Sequence, residues 1–325
     1  MELFESLKEK IAGKNTRIVF PEATDPRIVG AVGRLKAEGL MEPVLIGKKA
    51  DVETALNQAE LKADDFEIID PTNYDQMDEM VRSFVARRNG KATEEDAKKV
   101  LQDENYFGVM LVYMDLADGL VSGAIHSTAD TVRPALQLIK TKPGINRTSG
   151  AFLMVRDSDE KKYVFSDCAI NIEPDAQALA DIAIGSAETA QLFDIDPRVA
   201  MLSFSTKGSG SSPDVDKVVE ATRIAQEARP DLAIDGELQF DAAIDPTVAS
   251  LKAPDSDVAG KATVFVFPDL QAGNIGYKIA QRLGNFQAIG PILQGLNKPV
   301  SDLSRGCNEE DVYKLSIITA AQSQM

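Results

Sequence analysis

The sequence is poor in the residues that build disulfide frameworks, zinc sites and histidine relays. It holds two cysteines, Cys168 and Cys307, and one histidine, His126. Two distant cysteines cannot make a disulfide framework, and they do not form a CxxC pair. A zinc site needs more nitrogen and sulfur ligands than this chain offers. A Ser-His-Asp triad could be built only on His126, and no GxSxG elbow supports one. No run of about 18 apolar residues exists, so no membrane span is expected. The opening "MELFESLKEKIAGKN" reads as an amphipathic helix without the basic end and apolar centre of a secretory signal. The expected location is therefore the cytoplasm. A local patch of Lys and Arg is also missing. With 35 basic and 51 acidic residues, the net charge is -16. Such a chain repels nucleic acid and anionic membranes. An arginine placed in a binding loop works against that field.

What is present is alternation. The 325 residues suffice for one large or two ordinary domains. "RIVFPEATDPRIVGAVGRL" reads as strand, turn and helix; "PVLIG" and "FEIID" read as strands. Helical patterns cover about 73–88 and 93–103. An apolar run from Phe107 closes in a short strand near Gly119 to Gly123, and "HSTADTVRPALQLIK" opens a helix. In the second half, "GAFLMVRD" and "KYVFSDCA" look like paired strands. Helices at about 174–191 and after Pro213 then alternate with the strands "VAMLSFS", "LAIDGELQ", "ATVFVFPD" and "AIGPILQG". A last helix is expected at roughly 308–322. This order predicts an α/β protein with mostly parallel sheets. Two such runs predict two α/β domains with a cleft between them. The turn-rich "TKPGINRTSG" marks the boundary, and "LQGLNKPVSDL" reads as a return crossing. The expected domains are 1–147 with 296–325, and 148–295.

Ligands of open α/β sheets bind beyond the carboxyl ends of strands, so the strand-to-helix loops are the candidates. In "SFSTKGSGSSP" small residues would let backbone N–H groups meet an anion at a helix start. Lys207 precedes the glycines, so this is not a Walker A loop. Ser205, Thr206, Lys207 and Gly208 are candidate phosphate contacts; a plain surface loop with Ser212 as helix cap is the alternative. Ser127 or Thr128 opens a helix that carries Arg133, which fits either an anion cradle or an ordinary cap. Arg87 and Arg88 end a helix, where cations suit the dipole; one of them could instead point into the cleft. Asn274 lies at another helix start, and capping explains it equally. The stretch "VSDLSRGCNEEDVY" packs Ser304, Arg305, Cys307 and Asp311 together. Arg305 can hold an anion bidentately and Ser304 can add a bond. Asp311 could accept a proton, Cys307 could be a nucleophile or a small buried residue, and the acidic run could only serve the helix dipole.

Taken together, "VSGAIHSTADTVRPALQ", "DCAINIEPDAQALADIA", "SFSTKGSGS", "DGELQFDAA", "FPDLQAGNIGYK" and "GPILQGLNKPVSDLSRGC" resemble the phosphate acetyltransferases (phosphotransacetylases) of the short, single-enzyme form. With "RIVFPEATDPR" the resemblance covers nearly the whole chain. It implies a fold like that of isocitrate dehydrogenases. It implies reversible acetyl transfer between acetyl phosphate and CoA, by direct thiolate attack in a ternary complex. Carried over, Arg305 binds the phosphoryl group, Ser304 steadies the oxyanion and Asp311 is the base. Arg133 and Arg87, or its neighbour Arg88, bind anionic substrate, and Cys307 lies close without being a nucleophile. No cofactor is implied, since CoA is a substrate, and the expected assembly is a homodimer. A thiol near 8.5 and an aspartate near 3.9 leave a proton transfer uphill by roughly 6 kcal/mol. The site must therefore raise Asp311 or lower the thiol.

Three alternatives stand beside this reading. One is a butyryl-transferring relative with a deeper pocket. Another is a metal-dependent dehydrogenase, with Asp235, Glu237 and Asp241 as cation ligands. The third is a non-catalytic acyl-CoA sensor, disfavoured by the presence of "SRGC" and Asp311.

Overall fold

The computed structural model describes residues 2–325, with side chains from residue 4 onward. The chain divides into two compact units, Met1–Lys142 with Leu296–Met325, and Pro143–Gly295.

In chain order, the first unit opens with α1 (Glu2–Ile11), β1 (Arg17–Phe20), α2 (Pro26–Ala37), β2 (Glu42–Ile46), α3 (Lys49–Gln58) and β3 (Glu67–Ile69). It continues with α4 (Met77–Arg88), α5 (Glu94–Val100), α6 (Glu104–Tyr113), β4 (Gly119–Ser122) and α7 (Thr128–Leu138). The second unit comprises β5 (Ser149–Arg156), β6 (Lys161–Ser166), α8 (Ala176–Leu192), β7 (Arg198–Leu202), α9 (Pro213–Ala228) and β8 (Ala233–Leu238). It ends with α10 (Phe240–Ile244), α11 (Pro246–Lys252), β9 (Val264–Val266), α12 (Leu270–Leu283) and β10 (Gln287–Gln294). The chain then returns to the first unit for β11 (Val300–Asp302) and α13 (Glu309–Gln322).

The first unit's sheet has the order β11-β4-β1-β2-β3 and is parallel throughout. Its central strands are short apolar runs with little alternation, as strands covered on both faces must be; β4 is buried at every residue. From β1 the chain builds outward through β2 and β3 on one side and adds β4 and β11 on the other. The reversal between β1 and β4 is a topological switch point, where loops diverge and leave room for a ligand. Three loops leave the carboxyl ends of neighbouring strands there, after β1, β4 and β11.

The second unit's sheet has the order β10-β5-β6-β9-β7-β8. Its β5–β6 hairpin and the β10–β5 pair are antiparallel; the β6–β9, β9–β7 and β7–β8 pairs are parallel. Phe165, Phe265 and Phe267 meet edge-on or tilted in its core, and the exposed Phe240 packs against Phe165 and Phe265. The α/β class expected from the sequence is the class found. Two local readings change. The apolar run from Phe107 belongs to α6, which is apolar almost all round and therefore shows no helical stripe in sequence. Val300–Asp302, read as part of a crossing, is an edge strand paired to β4. Among the described residues, no helix is long and apolar enough to cross a membrane.

Candidate active site

The loops at the switch point are joined by two charged side chains. Glu22, just after β1, is 3 % exposed. Its carboxylate accepts the backbone N–H groups of Ala124, Ile125 and His126 at 2.8, 2.8 and 2.9 Å, and His126 Nδ1 at 2.7 Å. Burial alone would raise this carboxyl, yet the His126 ring and the backbone donors hold it below its ordinary value. Arg27, in the first turn of α2, pairs with Asp25 at 2.7 Å. The same guanidinium donates to the carbonyls of Ala124, Arg305 and Cys307 at 2.8, 2.9 and 3.0 Å. It thereby ties the loops after β1, β4 and β11 together. Neither residue stood out in the sequence. The available signal was a cation in a helix's first turn, where the dipole disfavours it.

The loop after β11 presents the Ser304–Arg305 pair at the surface. Ser304 Oγ accepts the Gly306 N–H at 3.2 Å. The Arg305 side chain makes no ion pair among the described residues, although its carbonyl is held by Arg27. Cys307 is buried, and burial pushes its thiol up. A neutral thiol is a poor nucleophile. Asp311 forms a capping box with Asn308: its carboxylate accepts the Asn308 N–H at 3.0 Å, and Asn308 Oδ1 accepts the Asp311 N–H at 2.9 Å. Its side chain is exposed. Glu309 and Glu310 of the same acidic run face Arg34.

Beneath this loop lies Asp302, the last residue of β11, 2 % exposed. It is in register with Ser122 of β4, and the Thr128 and Thr131 hydroxyls of α7 lie beside it. Asp302 Oδ1, Ser122 Oγ and Thr131 Oγ1 are buried and make no hydrogen bond among the described residues. Burial pushes the Asp302 carboxyl up to about 6. Gly123, at φ +108, is required here, since a Cβ would meet Asp302 Oδ1 at 2.5 Å and the Leu303 backbone at 2.6 Å.

Helix α7 starts as the sequence suggested. Ser127 is its N-cap, and its hydroxyl bonds Asp130 at 2.6 Å. Arg133 is exposed and unpaired among the described residues. Arg87 is committed: Nε and Nη2 donate to the carbonyls of Leu138 and Ile139 at 2.5 and 3.0 Å, and the guanidinium lies over Tyr113. Arg88, its neighbour, carries no such bonds among the described residues.

In the second unit the Gly/Ser-rich loop is satisfied from within. The buried Glu237 carboxylate accepts the Gly208 N–H at 2.7 Å and the Ser205 hydroxyl at 2.9 Å. The Thr206 hydroxyl bonds Gln239 at 3.2 Å, and Lys207 pairs with Asp235 at 2.5 Å. The anion this loop holds is thus its own Glu237. Asn274 donates to the Cys168 carbonyl at 3.1 Å and accepts from Lys278 at 2.7 Å. Asp235, Glu237 and Asp241, weighed as cation ligands, have separate partners in Lys207, Ser205 and Lys252. Among the described residues, no group of three or more His, Cys, Asp or Glu is placed to hold a metal ion.

The family model described as phosphate acetyl/butaryl transferase matches residues 2–320. The chain belongs to that family. The phosphate acetyltransferase of Bacillus subtilis (strain 168) is 61% identical over 322 residues, covering 99% of each chain. A phosphotransacetylase from Streptococcus pyogenes has a similar crystal structure, with a TM-score of 0.98, 66% identity and coverage of 99% of this chain and 98% of that one. A branched-chain phosphotransacylase from Enterococcus faecalis V583, 19% identical with a TM-score of 0.66 over 95% of this chain and 99% of that one, shares the fold. This phosphate acetyl/butaryl transferase family member is accordingly an acyltransferase.

Proposed function

We propose that the protein is a phosphate acetyltransferase, converting acetyl phosphate and CoA reversibly into acetyl-CoA and phosphate. The names of the relatives at 61% and 66% identity support acetyl over longer acyl groups. The observation that carries the reading is the Arg27 staple, which holds the unpaired Arg305 beside the loop that opens α7. Two unpaired cations, Arg305 and Arg133, project from a chain of net charge -16. They supply local attraction for an anionic substrate.

In the proposed mechanism both substrates bind together. Arg305 holds the phosphoryl group with parallel hydrogen bonds. The CoA thiolate attacks the carbonyl carbon, forming the C–S bond, while Ser304 stabilises the oxyanion. The C–O bond then breaks and phosphate leaves. Asp311 takes the thiol proton; its capping bond to Asn308 fixes its carboxylate. The nearby guanidinium charge lowers the thiol and reduces the uphill transfer. Arg133 binds anionic substrate directly, and Arg87 acts by holding the end of α7. Ser127 and Thr128 line the same helix start. Ser205, Thr206, Lys207, Gly208 and Asn274, in the second unit, stay candidate substrate-binding residues whose internal bonds a substrate would have to replace. Cys307 lies near the site without covalent chemistry, as its raised thiol favours. No cofactor enters this scheme. We further propose a cytoplasmic homodimer.

The test is CoA-dependent phosphate release with acetyl phosphate and butyryl phosphate side by side. A clear preference for the acetyl compound is expected. Preference for butyryl phosphate contradicts the acetyl assignment, and reduction of NAD(P) with a hydroxy acid contradicts the reaction class.

A further inference from the structure

The Glu22–His126 pair spans the switch point between the loops after β1 and β4, and the mechanism above leaves it unused. Its two members differ in exposure. The Glu22 side chain is fully buried, whereas that of His126 is 29% exposed. The bond to Glu22 engages Nδ1 at 2.7 Å. Nε2 has no partner among the described residues. A histidine that only filled space here would need no buried carboxylate, and that carboxylate would need no three backbone donors to keep it ionised. Together these partners fix the ring's orientation and favour its charged form. Glu22 raises the imidazole above its ordinary value, and Asp103 and Glu104 at the start of α6 act in the same sense. From α7, Asp130 faces the ring too. The cations of the neighbouring loops are Arg27 and Arg305.

The spacing to the Ser304–Arg305 loop is fixed as well. One guanidinium, Arg27, bonds both the Ala124 carbonyl, two residues before His126, and the Arg305 carbonyl. A phosphoryl group offers several oxygens, and the two parallel bonds from Arg305 leave acceptors unmet.

We propose that His126 is a further substrate-binding residue of the acyl-transfer site, an imidazolium whose Nε2–H donates to the phosphoryl group, with Glu22 as its positioning residue. The inference rests on the acyltransferase reading above. A charged hydrogen bond of this type predicts a roughly ten- to hundredfold contribution to kcat/KM for acetyl phosphate.

The test compares His126→Asn, His126→Gln and the parent enzyme. Asparagine places its amide nitrogen where Nδ1 stood and keeps the Glu22 bond, but it lacks Nε2. His126→Asn is expected to lose roughly ten- to hundredfold in kcat/KM for acetyl phosphate, with a smaller change in KM for CoA. Glutamine reaches the Nε2 position, and His126→Gln should recover part of the loss. The sign of the pH effect follows from the raised value. The imidazolium is present at low pH and is lost as pH rises through its elevated pKa. The parent's kcat/KM for acetyl phosphate should therefore fall on that limb, and His126→Asn should lack the fall. Parent-like kcat/KM in His126→Asn overturns the inference. So does a loss that keeps the pH limb, which marks a structural role. A parent enzyme without CoA-dependent turnover of acetyl phosphate overturns the acyltransferase reading itself, which separates the two failures.

Discussion

Arg27 Nη1 lies 2.9 Å from the backbone carbonyl of Arg305, a residue 278 positions later in the chain. That bond fixes the height and direction of the loop that presents the proposed phosphoryl-binding guanidinium. Arg27→Ala removes it together with the bonds to Ala124 and Cys307 and leaves Asp25 without its cation. The unmet carbonyls cost about 1–3 kcal/mol each where they are buried. Misplacement of a reacting group by about an ångström costs on the order of a hundredfold in rate. Arg27→Ala should therefore lower both unfolding temperature and kcat, and Arg27→Lys should recover little, since an ammonium cannot reach all three carbonyls. Calorimetry and steady-state kinetics on the two variants check this. Parent-like kcat in Arg27→Ala rules out the stapling role.

The two arginines named for substrate binding should separate. Arg133 is exposed and unpaired among the described residues, so Arg133→Ala should raise KM for an anionic substrate roughly tenfold and leave stability within about 0.5 kcal/mol. Arg87 bonds the carbonyls at the end of α7 and lies over Tyr113. Arg87→Ala should cost about 1–3 kcal/mol of stability. Denaturant unfolding of both variants decides; equal destabilisation contradicts the division.

Asp302 predicts a pH effect on stability. Its folded carboxyl is raised from an ordinary 3.8 to about 6, because burial disfavours the anion. Between those values the folded state keeps a proton that the unfolded state has released, so stability falls as pH rises. Above about pH 6 the penalty is complete, at most about 3 kcal/mol for a shift of this size. Asp302→Asn lacks this titration. The stability difference between the variant and the parent should therefore move in the variant's favour from pH 4 to pH 7, measured by urea unfolding at each pH. A constant difference contradicts the buried, raised carboxyl.

The fold was largely legible because parallel strands covered on both faces are short apolar runs, set off by turn residues and capped helix starts. Asp25, Ser127 and Asn308 are such caps. Helix α6 escaped because it is buried almost all round and has no polar face to set a period. Strand β11 escaped because its Val300–Asp302 holds a single apolar residue and follows the turn-like "NKP", whereas the equally short β3 and β9 lie in apolar runs. In the site, Arg305, Ser304 and Arg133 could be singled out as chain-local groups beside turn and cap residues. Glu22, Arg27 and Asp302 could not, since their meaning lies in partners far away in sequence. The Glu22–His126 bond joins residues 104 positions apart. The Gly/Ser-rich loop shows the opposite limit. Its composition suits an outside anion, but Glu237, 29 residues beyond Gly208, already fills that place.

The central claim is direct transfer in a ternary complex organised by Arg305, and the most direct measurement is CoA-dependent phosphate release from acetyl phosphate in the parent, Arg305→Ala and Cys307→Ala. The account predicts activity in the parent, a loss of roughly a hundredfold or more in Arg305→Ala, and activity largely retained in Cys307→Ala. Abolished activity in Cys307→Ala, with an acetylated enzyme isolable from the parent, would contradict it and establish a covalent relay through the buried thiol.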